Sequence, residues 1–449
     1  MATTELKRTI SSAGSQTKWG ASAWVKLSGA GTIANTQAVY CSSKSDTTGN
    51  LRGIFINSDD RIQVGYYDGG YSFQVETNRL LKDPSAFYHL CIEFDSSQST
   101  ANDRIKIWVN GVQETSMSTN SQPSHNGTYN FFGTDITQLV GSLREGSTIC
   151  NPCIISHLHV TDGYCYPAST YGEIDATSGE WKIKVNPSVT YGTNGFFLLK
   201  DNASLTDQST NSNDFTLGSG TLLKSEDNPS CNFATWNVLH NYFEGATYSC
   251  GNNKVVTGGN NTYTYNNSTL GMTKGKYYCE IKNITAASSD NLIGITDRFT
   301  TSATHELGNF NTQWAYRMGG GLYTNNTHTA SWGASWAVGD YIGIGLDLDN
   351  NKLYFSKNGT WQNPTAGISI TDPASVTDGC YYFSFCGFSD QNEGCEANFG
   401  NGSFGTTQLT GTTYAGADGN GIFKYDPNNI TLDGASKSFN SLSTKGLNA

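Results

Sequence analysis

The chain has 449 residues, enough for two or three domains, but only 14% of them are charged where about 25% is usual, and 50 are glycine. So little charge excludes long exposed helices, whereas many short strands joined by Gly, Asn, Asp, Ser and Thr turns fit both the glycine count and the 12% aromatic content. A net charge of −11 with no basic run argues against nucleic acid as a partner, and no stretch approaches the ~20 apolar residues of a membrane span.

In chain order, the opening MATTELKRTISSAGSQ has no apolar run that could serve as a signal-peptide core, so synthesis in the cytosol without classical export is expected. Runs such as SAWVKLS, RGIFIN, RIQVGYY and FYHLCIEF, each closed by turn residues, read as strands. In RIKIWVNGVQET, Ile105, Ile107 and Val109 alternate with Lys106 and Trp108, and Asn110-Gly111 supplies the positive φ angles of a tight hairpin turn. CIISHLHVTDGYCYP and GFFLLKD continue the pattern. The polar text between about Leu205 and Asn241 reads as an inter-domain connection. Strand signals then return in GKYYCEIKN, NLIGITD and WAYRMGGGLY. In YIGIGLDLDNNKLYFSKNG, Ile342, Ile344, Leu346 and Leu348 take one face and Gly343, Gly345 and Asp347 the other. The expectation is an all-β protein of two antiparallel β-sandwiches in series: residues 1–204, a linker 205–241, a second sandwich 242–410 and a C-terminal tail 411–449.

Eleven scattered cysteines without a repeated spacing read as structural thiols, with at least one unpaired. Cys150 and Cys153 in CNPC, near Cys165, His157 and His159, lack a second CxxC to complete a zinc site, and the two histidines read as solvent-facing strand positions. Loops such as KSDTTGN and NSDDR are ordinary turn sequences as well as candidate calcium loops, so neither metal nor cofactor is assigned. A glycosidase needs two carboxylates roughly 5–10 Å apart; Glu173 and Asp175 are followed too late by Glu180, Asp347 and Asp349 belong to a hairpin, and Glu393 and Glu396 fall on opposite faces. No nucleophile elbow, Walker loop or HExxH motif occurs. The expectation is a protein that is not an enzyme.

Binding chemistry has better candidates. A lectin-like site needs exposed rings beside amides or carboxylates. Tyr66, Tyr67, Asp68 and Tyr71 straddle a Gly-Gly turn at one end of the first sandwich, where a packing pair across the hairpin is the plainer account. Trp361, past the Asn358-Gly359 turn with Gln362 and Asn363, is the tryptophan expected to be exposed. Trp24, Trp108 and Trp314 sit inside strand motifs and read as core or sheet-face residues.

GKYYCEI, IGITD, WAYR, GDYIGIGLDLDNNKLYFSKNG and EANFGNGSFG stand in the order and spacing of a SPRY domain, which the chain resembles over about Lys274 to Thr407. ASAWVKLS, YHLCIEFDSSQSTANDRIKIWVNGVQE and ISHLHVTDGYCYPASTYGEID resemble laminin-G or concanavalin-A-like sandwiches. SGEWKIKVNPSVTYGTNGFFLL, the text after it and the tail from GNGIFKYDPNN resemble virion proteins of marine bacteriophages that join two such domains. That resemblance implies a non-enzymatic structural protein on the virion surface, as tail fibre, appendage or capsid knob, made in the host cytoplasm. Its implied partners are other virion proteins, further copies of itself, with a trimer favoured, and host-surface polysaccharide. A purely architectural decoration protein and a polysaccharide depolymerase are the alternatives. Such proteins commonly carry a strand ahead of the one that begins here at Leu6, so an open or subunit-completed sheet edge is expected there.

Overall fold

Alternation in the first half folds as its residues dictate. Ile105, Ile107 and Val109 are buried while Lys106 and Trp108 face outward, and the chain reverses at Asn110 (φ 47°) and Gly111 (φ 79°). The computed structural model describes residues 4–29, 36–44, 50–146, 153–201, 204–240, 246–257, 262–286, 291–299, 304–388 and 392–448. Within these the chain divides into two units, Met1–Leu222 and Leu223–Ala449, both all-β.

Among the described residues of the first unit, an eight-stranded antiparallel sheet runs in the spatial order Met117–Ser121, Tyr71–Leu80, Arg61–Asp68, Asn50–Ile56, Gln37–Lys44, Ile136–Val140, Glu5–Thr9 and Thr216–Ser219. It faces a six-stranded sheet ordered Phe196–Leu198, Ile154–Asp162, Lys18–Lys26, Phe87–Asp95, Ile105–Val109 and Val112–Glu114. Inward residues of both sheets interdigitate around Trp19, whose ring stacks on Phe94 at 5.6 Å and meets Phe131 at 4.7 Å.

Residues 205–222, the first part of the expected linker 205–241, belong to the first unit. Thr216–Ser219 pairs antiparallel with Glu5–Thr9, and Phe215 is 3% exposed with its ring 4.7 Å from Phe196. The approach to that strand is fixed by Asp207, whose carboxylate accepts from the N–H groups of Phe197, Ser209 and Asn213. A segment so polar escapes an apolar-pattern reading because one aromatic ring and one carboxylate do the anchoring. The same strand, from this chain itself, fills the sheet edge beside Leu6, which was expected to be open or completed by another subunit.

In the second unit, the larger sheet contains Gly394–Asn398, Lys276–Thr285, Tyr341–Asp347 and Lys352–Lys357 as successive neighbours. The smaller runs Tyr263–Asn267, Tyr382–Phe388, Leu292–Thr296, Trp314–Arg317, Leu322–Thr324, Thr327–Thr329. Ile342, Ile344 and Leu346 are fully buried between the sheets, and Gly343, Gly345 and Asp347 point to the opposite face, as the alternation requires. That outer face does not meet water. Within residues 411–449, expected to be an appended tail, a segment lies across it: Phe423, Leu432 and Phe439 are buried against Tyr278 and Tyr354, and Asn440–Ser441 pairs in parallel with Tyr277–Tyr278. Glycine at 345 makes the fit, since a Cβ there would lie 2.9 Å from Phe439 and 3.0 Å from Trp361.

Candidate functional site

The hairpin joining Arg61–Asp68 to Tyr71–Leu80 closes through Gly69 (φ 71°), with the Asp68 N–H donating to the Gly70 carbonyl at 3.0 Å. A register shift between Tyr66 and Tyr67 separates the candidate residues. Tyr66 turns toward the core rings of Tyr129 and Phe131, at 5.4 and 5.7 Å, with the Arg52 guanidinium 4.6 Å from its ring centre. Tyr67 and Tyr71 pair across the strands edge to face at 5.1 Å. Tyr71 is 45% exposed, yet its position is set: the ring lies over Gly65, at 3.2 Å from where a Cβ would stand, and the hydroxyl accepts from Gln63 Nε2 at 2.8 Å. Tyr67 and Tyr71 therefore form one surface pair, with exposed Asp68 next to Tyr67 in the chain, and Tyr66 is excluded from it by its packing.

The three candidates in the second unit are drawn into the fold. Trp361 is half-buried, stacked on Phe439 at 6.1 Å and near Tyr278 at 6.2 Å, so the expected exposed tryptophan lies under the C-terminal segment. Gln362 Oε1 accepts from the Ala334 N–H at 2.9 Å, and Asn363 Nδ2 donates to the Trp332 carbonyl. Both amides serve to pin the 331–336 loop, whose half-buried Trp332 packs on Tyr316 and Phe355. Trp361 sits beside a turn signal, but the partner that covers it is nearly eighty residues later in the chain and invisible to local pattern.

His157 lies with Nδ1 2.7 Å from the Oγ of its chain neighbour Ser156, and His89 is placed beside a buried serine hydroxyl in a way that resembles a nucleophile and its base. The His89 Nε2 lies 2.8 Å from Ser22 Oγ and its Nδ1 3.0 Å from Trp181 Nε1. An indole N–H only donates, so Nδ1 must be the bare acceptor and the neutral ring carries its proton at Nε2, toward the serine. A base for Ser22 needs the reverse. Burial pushes the His89 imidazole down to about 3, which keeps it neutral. His157 and His159 are buried, not solvent-facing: a bulge shifts the register there, His157 has φ 50°, and His159 stacks on Phe197 at 3.9 Å with Nδ1 2.8 Å from the Tyr191 hydroxyl.

Carboxylates that could have formed an acid pair face lysines. Glu173 and Asp175 lie 3.5 and 3.1 Å from Lys182, Asp347 2.8 Å from Lys437, Asp349 2.6 Å from Lys276, and Glu396 3.7 Å from Lys254. Among the described residues no three His, Cys, Asp or Glu side chains converge as metal ligands. Cys150 and most of the KSDTTGN loop lie outside the described residues.

Comparison with known proteins agrees with this architecture. Residues 7–145 match the concanavalin A-like lectin/glucanases superfamily and residues 274–402 match the SPRY domain. A curated relative, the E3 ubiquitin-protein ligase RKP of Arabidopsis thaliana, is 35% identical over 75 residues, which is 17% of this chain and 6% of the relative's length. Among solved structures, the SPRY domain of human HERC1 is 19% identical, covering 36% of this chain and 91% of its own, with a TM-score of 0.27. Stonustoxin is 18% identical over 37% of this chain and 27% of its own, with a TM-score of 0.28. The chain thus carries a concanavalin-A-like domain followed by a SPRY domain, two domain types whose usual work is binding.

Proposed function

We propose that this chain is a non-catalytic adhesive component of a bacteriophage surface, in which the first unit binds host-surface glycans through Tyr67, Asp68 and Tyr71. The observation that carries the reading is Tyr71: an exposed ring held in one place by Gly65 and Gln63 offers an apolar plate at little entropic loss, and the exposed Asp68 of the same hairpin would supply a carboxylate for sugar hydroxyls. The virion setting is supported by the sequence resemblance of the linking and terminal text. Homo-oligomerisation, with a trimer favoured, would multiply weak single-site contacts by avidity. Glycan-array and host-cell binding with the purified protein tests this. Tyr71→Ala and Tyr67→Ala each weaken a specific signal about tenfold, the usual loss for a contact-centre aromatic, while circular dichroism stays native. Undiminished binding by both folded variants rejects the site.

A second reading, a purely architectural virion subunit, is favoured by the way Trp361 is half-covered and the amides of Gln362 and Asn363 are engaged within the chain. It predicts no glycan signal from a folded, oligomeric wild type.

A further inference from the structure

We infer that the C-terminal strap, residues 414–443, is a latch that docks on and leaves the outer face of the second unit's larger sheet as one element, and that proton exchange at Glu280 sets its docking. The sheet closes without the strap: Lys276–Thr285, Tyr341–Asp347, Lys352–Lys357 and Gly394–Asn398 pair with one another along their own ladders. The strap adds ladder pairs at Tyr277 and Tyr278 and scattered backbone bonds, from the Ile422 N–H to the Gly400 carbonyl, from the Asp433 N–H to the Pro364 carbonyl and from the Ala234 N–H to the Leu442 carbonyl, and otherwise holds by side chains. Phe423 meets Tyr278 at 5.2 Å, the Tyr354 hydroxyl donates to Asp433 at 2.9 Å, Lys437 Nζ lies 2.8 Å from Asp347, and Phe439 covers Trp361. An element held this way has a smaller opening free energy than the ladder beneath it.

Glu280 stands at the centre of the contact, fully buried. Its Oε1 accepts from the Tyr425 N–H at 2.7 Å and lies 3.4 Å from the Tyr278 hydroxyl; its Oε2 accepts from the Lys424 N–H and from Asn398 Nδ2, both at 3.0 Å. Half of these partners belong to the strap and all four are neutral donors. The charged and titratable groups around it include Lys282, Tyr278 and Cys279 on its own strand, Tyr341 and Glu396 on the flanking strands, and Lys424 and Tyr425 on the strap. The ammonium groups of Lys282 and Lys424 lie over the Tyr341 ring, at 5.7 and 5.0 Å, and Lys282 also reaches Glu396 at 3.9 Å.

A protonated Glu280 can keep every contact: Oε1–H points to the Tyr278 oxygen, the remaining lone pair on Oε1 takes the Tyr425 N–H, and Oε2 takes the other two donors. Burial pushes its carboxyl up to about 7, against 4.5 in water. When the strap leaves, water reaches Glu280 and its affinity for the proton falls. Docking is therefore fully favoured below the free value of 4.5, weakens as pH rises and has lost this contribution above about 7. Release uncovers the aromatic face of Tyr278, Tyr354 and Trp361.

Hydrogen-exchange mass spectrometry on the full chain, with the intrinsic base catalysis of exchange removed, reads this directly. Strap amides such as those of Lys424 and Tyr425 should open more readily than those of Tyr341–Asp347, with an opening constant that rises by up to about tenfold per pH unit between about 5 and 7 and then levels off. Glu280→Gln should abolish the rise. Strap amides as protected as the strand, opening without pH dependence, or an equal rise in E280Q each overturn the inference.

Discussion

Single residues decide how the outer face of the second unit is covered. At Gly345 a methyl group would press on Phe439 and Trp361 at 2.9 and 3.0 Å, so Gly345→Ala should destabilise strap docking by about 1–3 kcal/mol, seen as faster exchange of strap amides while the Tyr341–Asp347 ladder stays protected. Lys437 is the cation for Asp347, which is fully buried and also accepts from Asn350 Nδ2. Removing one member of such a pair leaves the other charged and dry, so Lys437→Ala should lower stability by about 3–5 kcal/mol in denaturant unfolding. The glycines at 343 and 345 and the acid at 347 were legible as one face; that the face is a floor for another segment was not, because alternation reports which side a residue takes and not what lies above it.

At the scale of elements, the strand Thr216–Ser219 and the ring before it extend the first unit beyond any boundary drawn from polarity. Phe215→Ala should cost about 3–5 kcal/mol, the usual range for emptying a buried aromatic site, and should release the Thr216–Ser219 pairing, both measurable by chemical denaturation and amide exchange. If residues 205–222 were a free linker, the substitution would leave stability unchanged. Hairpins with local turn signals, such as the one at Asn110-Gly111, could be read from the text because turn chemistry and alternation sit within a dozen residues. Pairings such as Glu5–Thr9 with Thr216–Ser219 join residues about two hundred positions apart, and no local pattern encodes them.

For the molecule as a whole, buried neutral histidines make the first unit sensitive to acid. His89 is pushed down to about 3 and His157 to about 4, and His159 lies well below 6.5, in each case chiefly by burial. The unfolded chain therefore takes up protons that the folded one refuses: stability from these groups is complete above about 6.5 and is lost as pH falls toward 4 and then 3. Thermal unfolding of the first unit, followed by amide exchange in the Lys18–Lys26 and Phe87–Asp95 strands, should shift downward by several degrees between pH 7 and about 4.5, and His89→Gln should blunt the shift. Composition and alternation alone determined that the chain is all-β, that it has two sandwiches in series and that Ile105, Ile107 and Val109, like Ile342, Ile344 and Leu346, face inward, since these follow from side-chain periodicity and turn chemistry carried by neighbouring residues. Only the tertiary structure decided that Trp361 is covered, that Tyr66 turns inward while Tyr71 stays out, that His89 points its proton at Ser22, and that the last thirty-odd residues close the second unit, because each depends on which distant segment comes to lie against a given face.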